Sequence, residues 1–118
     1  MKGLLIVSHG SRSKDAVNEF NQLIEMVRTQ AEGFEVGGAH MELATPDIPT
    51  VVASLVEKGV QDITVVPYFL FNGNHIKQDI PELIESEKEK YPQVAFRITS
   101  PIGAEPLMVG ILLKRAGL

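Results

Sequence analysis

V-P-Y-F-L-F-N-G-N-H-I-K-Q-D-I-P, residues 66–81, is the stretch whose reading decides the fold. An apolar strand runs into a loop carrying Gly73 and a histidine, His75, and then into a helix start marked by Pro81. The amino terminus repeats the arrangement: residues 3–8 form an apolar run, followed by His9-Gly10-Ser11-Arg12. Two histidines therefore stand just past the ends of two buried strands, where α/β proteins build their sites. The pairing suggests metal or proton chemistry.

Outward from these two units, strand and helix alternate along the whole chain. Ser13 is placed to cap a helix whose apolar face is Ala16, Phe20, Leu23, Ile24, Val27 and Ala31, a helical spacing. Glu32-Gly33 ends it, and residues 34–43 read as the second strand. Thr45-Pro46-Asp47-Ile48-Pro49 carries start signals for a helix that turns Val52, Leu55 and Val56 inward and stops at Gly59. Residues 63–66 are continuous and β-branched, as a parallel strand buried on both faces should be. A helix over 76–90 follows, with Ile80, Leu83 and Ile84 inward and a charged outer face at 85–90. A strand over 94–98 and a helix over 105–116, with Pro106 in its first turn, complete the pattern.

Four successive βα units predict a single α/β domain spanning residues 1–118: a four-stranded parallel flavodoxin-like sheet with helices on both faces. In the order 2-1-3-4 the chain reverses direction between the first and third strands, and ligands bind beyond the carboxyl ends at that switch. Under this order both histidines face one crevice.

Composition narrows the chemistry. A net charge of −4 argues against nucleic acid as a partner, because phosphate neutralisation needs a basic face. No apolar run approaches the length of a membrane span, and the apolar start is too short for a signal peptide, so a cytoplasmic location is expected. Cysteine is absent, which excludes disulfides, thiolate zinc and iron–sulfur ligation. Any metal must be held by imidazole, carboxylate or backbone oxygen, and imidazole suits cobalt, nickel, iron, zinc or copper better than magnesium or calcium.

Each candidate has a plain reading beside the functional one. His9 is either a ligand or base in a tight turn, where Gly10 lets a ligand approach the backbone, or a turn histidine bonded to a nearby carbonyl. His75 gains interest only from its mate across the crevice. His40 and Glu42 alternate with Met41 and so share a face of the second strand. Glu42, nearer the carboxyl end, is placed to join the crevice, and His40 reads as structural. Asp79 reads as a helix cap or a partner orienting His75. Arg12 and Lys14, at a helix start, are suited to carboxylates of a substrate or simply to solvent. No G-x-G-x-x-G or Walker A pattern supports nucleotide binding.

The strand followed by Ser8-His9-Gly10-Ser11-Arg12, then Met41-Glu42-Leu43 with Pro46, then the 66–81 stretch and the ending Pro101-Ile102-Gly103-Ala104, together resemble the short sirohydrochlorin chelatases. The resemblance spans essentially the whole chain. It implies insertion of a divalent metal (Co2+, Ni2+ or Fe2+, as substrate and not as a resident cofactor) into sirohydrochlorin, an acidic tetrapyrrole held between the subunits of a homodimer. It further implies His9 and His75 as metal-binding and catalytic residues and Glu42 as an acidic assistant. Gly10, Ser11, Arg12, Phe69, Leu70 and Gly73 are then candidates to line the macrocycle site. His40 stands where the family has an apolar residue, and no function transfers to it.

Two rival readings use the same residues. Histidine phosphatases place arginine immediately before the histidine that follows their first strand, whereas Ser8 stands there in this chain. A non-catalytic metal or tetrapyrrole carrier would use the same two histidines, and the sequence does not separate it from a chelatase.

Overall fold

Seven residues, Lys2–Ser8, form β1, and Leu5, Ile6 and Val7 are all buried in it. A strand apolar on both sides belongs in the middle of a sheet, and β1 lies there. The computed structural model describes residues 1–71 and 73–118, with the backbone alone at 74–76. The remaining elements are α1 (Lys14–Gln30), β2 (Phe34–His40), α2 (Ile48–Glu57), β3 (Asp62–Pro67), α3 (Asn74–Lys90), β4 (Ala95–Ile98) and α4 (Pro106–Arg115). The four strands make one parallel sheet in the order β2-β1-β3-β4, the predicted order.

Alternation along β1 divides the core. Leu5 and Val7 join Ile63 and Val65 of β3 under α2 and α3, where Ile48, Val52, Leu55, Ile80 and Ile84 are buried. Ile6 turns the other way and packs with Val36, Phe20 and Ile24 beneath α1. Each such side chain stabilises the fold by roughly 1.5–3 kcal/mol relative to exposure. Gly37 and Gly38 let helices close on β2 from both faces: a Cβ at Gly37 would stand 2.6 Å from Val51, and one at Gly38 would stand 2.6 Å from Ile24.

The helix starts follow the sequence signals. Ser13 caps α1 by accepting from the Ala16 N–H, and Asp47 caps α2 by accepting from the Thr50 N–H at 2.9 Å. Three expectations need correction. The second strand stops at His40 rather than Leu43, because the His40 N–H donates to Pro46 O and the chain turns away, with Leu43 at φ 67°. The third helix begins at Asn74 on a Gly73 cap, so Pro81 lies inside it, and Asp79 stands too far along to be its cap. The charged stretch at 85–90 is not uniformly an outer face: Glu87 is buried, with Lys90 Nζ 2.9 Å from its Oε2. That bond raises the Lys90 pKa.

The last helix is the exception to burial. α4 is apolar in composition yet buries none of its residues, and Leu107, Val109, Leu112 and Leu118 beyond its end are exposed. No helix among the described residues is long and apolar enough to cross a membrane.

Candidate functional site

The carboxyl edge of β1 and β3 is where the sheet order reverses, and the site assembles there. β1 delivers His9 one residue past its end, at the mouth of the edge. Met41 N–H donates to Ser8 O (2.8 Å) and Glu42 N–H donates to His9 O (3.1 Å), carrying parallel pairing beyond the strands. This zippering brings Glu42 to His9: Nε2 of His9 is 3.1 Å from Oε1 of Glu42, with both side chains about half exposed. Glu42 thus reaches the site from a loop and not, as expected, from the second strand.

The opposite ring nitrogen of His9, Nδ1, lies 3.4 Å from the Gly10 carbonyl. The Phe69 ring meets the imidazole edge-on, with centroids 6.4 Å apart. Phe69 is held in turn by the chain after β4: Ile102 N–H donates to Phe69 O (2.9 Å) and Gly103 N–H to Leu70 O (2.7 Å). The Pro101-Ile102-Gly103-Ala104 segment therefore pins the loop that presents Phe69 and Leu70.

A cavity of about 720 Å³ opens beside His9, lined by Ser8, His9, Gly10 and Ser11 at one end and by α1 residues along one wall. His40 also lines it. Its ring is 1% exposed, Nδ1 is hydrogen-bonded to Ser8 Oγ at 2.7 Å, and Phe20 tilts against it at 5.0 Å. Nε2 is buried with no partner among the described residues, and burial lowers the His40 pKa from its ordinary value.

The remaining sequence candidates divide. Ser11 lines the cavity, where its hydroxyl accepts from the Ser13 N–H at 3.0 Å. Arg12 does not line it; it opens on a separate pocket of about 300 Å³ with Lys14, Ala44 and Thr45. Leu70 and Gly73 are exposed on the β3–α3 loop. The backbone of His75 lies in the first turn of α3, while its side chain falls outside the described residues, as does Asn72 altogether. Among the described residues, no group of three or more histidine, aspartate or glutamate side chains is clustered to hold a metal. His40, read from the sequence as structural, lines the cavity, as do Tyr68 and Arg115, which the sequence did not single out.

The family model CbiX matches residues 3–117. The chain belongs to the CbiX family. A sirohydrochlorin ferrochelatase from Arabidopsis thaliana chloroplasts is 32% identical to this CbiX chain over 113 residues, 96% of this chain and 50% of the relative. A sirohydrochlorin cobaltochelatase from Sulfolobus acidocaldarius is 33% identical over 98% of this chain and 90% of its own length. Among solved structures, the sirohydrochlorin chelatase SirB from Bacillus subtilis subspecies spizizenii, in complex with cobalt, superposes with a TM-score of 0.94 at 31% identity. That match covers 98% of this chain and 50% of SirB. The CbiX chain thus spans about half the length of several relatives it matches and nearly all of others.

Proposed function

We propose that this chain inserts a divalent metal ion, Co2+ with Ni2+ or Fe2+ as alternatives, into sirohydrochlorin. The observation that carries the reading is the 3.1 Å contact between His9 Nε2 and the Glu42 carboxylate at the switch point of a CbiX-family sheet. Metal insertion exchanges two pyrrole N–H protons for one divalent cation, so it needs a place where proton and metal can alternate. An imidazole facing a carboxylate provides one. With a proton between them the two form a charge-assisted hydrogen bond. Without it, the nitrogen lone pair and the carboxylate oxygen are two donors of the kind that cobalt, nickel and iron accept.

The Gly10 carbonyl, 3.4 Å from Nδ1, is suited to take the other ring hydrogen and so leave Nε2 turned to Glu42. His75 is proposed as the second histidine on the strength of the motif at 66–81. The edge-on Phe69 ring supports an apolar cover over a flat macrocycle, with Leu70 beside it. Moderate ligands fit the task, because a thiolate site would retain the cation that has to be handed on.

The working unit in this proposal is a homodimer. The half-length match to relatives and the exposed apolar face of α4 both support a second copy as the missing half.

The reading is tested by mixing the protein with sirohydrochlorin and Co2+, Ni2+ or Fe2+ and following the visible spectrum. Multiple turnovers with at least one metal are expected. A spectral change that stops at one equivalent per chain would make the protein a carrier.

A further inference from the structure

The cavity beside His9 is walled by Val17, Phe20, Leu23 and Met26 of α1 and by Tyr68, a surface suited to a flat apolar ring. Its volume, about 720 Å³, is that of a site for a ligand of several hundred daltons. Its inner end is polar, with the Ser8 hydroxyl and the buried, half-satisfied imidazole of His40. Among the described residues lining it, Arg115 is the one cation and Glu19 the one carboxylate.

Charge makes that cation matter. A polycarboxylate ring approaching a chain of net charge −4 meets repulsion unless a positive group waits at the point of contact. Arg12, the sequence candidate for this role, faces the other pocket. Arg115 makes no ion pair or hydrogen bond among the described residues, so its guanidinium fork is open to a carboxylate.

We propose that Arg115, carried to the cavity by the last turn of α4, grips a carboxylate of the macrocycle and sets the affinity of the site for an acidic ring. The inference rests on the metal-insertion reading and deepens it. The ordinary alternative is that Arg115 merely complements the negative end of α4, as Lys114 does beside it. Position separates the two, because Lys114 does not line the cavity.

The experiment measures KM and kcat for sirohydrochlorin with Co2+, and Kd for sirohydrochlorin alone by absorbance titration, in the full chain. In Arg115→Ala, KM and Kd are expected to rise roughly tenfold or more, the effect of losing a charge-assisted pair, with kcat within about twofold. Arg115→Lys should recover part of the affinity, and Lys114→Ala should match the wild type. Circular dichroism and Tm confirm that each variant is folded, which is expected because α4 buries no residue. Unchanged KM and Kd in Arg115→Ala, or an equal rise in Lys114→Ala, would overturn the assignment, as would a fall in kcat alone. Wild-type protein that binds the ring without turnover would sink the metal-insertion reading while leaving Arg115 to be judged by Kd. Protein that binds no ring would sink both.

Discussion

Gly10 passes so close beneath Glu42 that a Cβ placed on it would stand 1.6 Å from the Glu42 carbonyl oxygen. Its φ of +100° lies where L side chains are strained, so two independent constraints meet at one residue. The bare Cα lets the loop after β1 touch the loop after β2, and the His9–Glu42 pair is set by that touch. Gly10→Ala is therefore expected to push the loops apart, costing about 1–3 kcal/mol in stability. Metal insertion should slow more than stability suggests, by on the order of 10²-fold, because about an ångström of misplacement is enough. Thermal melts together with initial rates check this. A folded Gly10→Ala protein with the wild-type rate would show that the spacing of the pair is immaterial.

If His9 and Glu42 work as one proton-and-metal exchange unit, their losses should not add. His9→Ala and Glu42→Gln are each expected to lower kcat by roughly 10²–10⁴-fold, the range for a positioned acid–base group. The double variant should be little worse than the more damaging single one, since either change already dismantles the unit. Rates of the three variants in the spectral assay decide the matter. Strict multiplication of the two single effects would mean that the residues act separately despite their 3.1 Å contact.

His40 makes a prediction about stability rather than catalysis. Burial lowers its pKa from 6.5, so below about pH 6.5 the unfolded chain binds a proton there that the folded chain refuses. Stability that is full above this pH is then lost as acid carries the solution from about 6.5 toward the lower folded value. Asp47, whose pKa is lowered by its hydrogen bonds to Thr50, acts in the same sense but only below its ordinary 3.8. In His40→Leu the fall in Tm between pH 7.5 and 5 should be shallower than in the wild type. At pH 7.5 the change in stability should be small, since a buried nitrogen with no partner among the described residues leaves with the Ser8 hydrogen bond. Parallel slopes for the two proteins would rule His40 out as the source of acid sensitivity.

The architecture was legible because its signals are local. Four apolar runs, a Ser13 cap, an Asp47 cap and the stop at Gly59 each act within a few residues, and together they specify the βα alternation, while the sheet order follows only from assuming a flavodoxin-like arrangement. What escaped depends on contacts distant in the chain. Residues 41–43 look extended, but the strand ends at His40 and the chain turns at Leu43, φ 67°, so Glu42 arrives on a loop. Glu87 sits in a charged run and reads as solvated, yet tertiary packing buries it. The meeting of Ser8 with His40 across the β1–β2 register, and the presence of Arg115 in the lining of the same cavity as the β1 edge, have no counterpart in local pattern. At the site itself the sequence named His9 and Glu42, which stand 3.1 Å apart, Gly10 and Ser11, which line the cavity with His9, Arg12, which lines a separate pocket, and His75, whose side chain lies outside the described residues.

α4 supplies the last prediction. It looks in sequence like any closing helix of an α/β fold, with an apolar composition that should pack on the sheet. Yet Leu107 is 77% exposed and Leu112 64% exposed. An exposed helix this rich in apolar side chains is a liability for an isolated chain and an asset for a paired one. The second copy proposed above would cover it, and relatives twice as long have room for an equivalent half in one chain. Leu107→Asp with Leu112→Asp is expected to turn a dimer into a monomer in light scattering, because charge at the centre of an apolar interface is costly to desolvate. Far-UV circular dichroism should be unchanged, since neither side chain is part of the core. Metal insertion should fall along with the dimer if the ring is held between subunits. A wild-type chain that is monomeric at working concentrations, or a double variant that remains dimeric, would remove α4 from the interface.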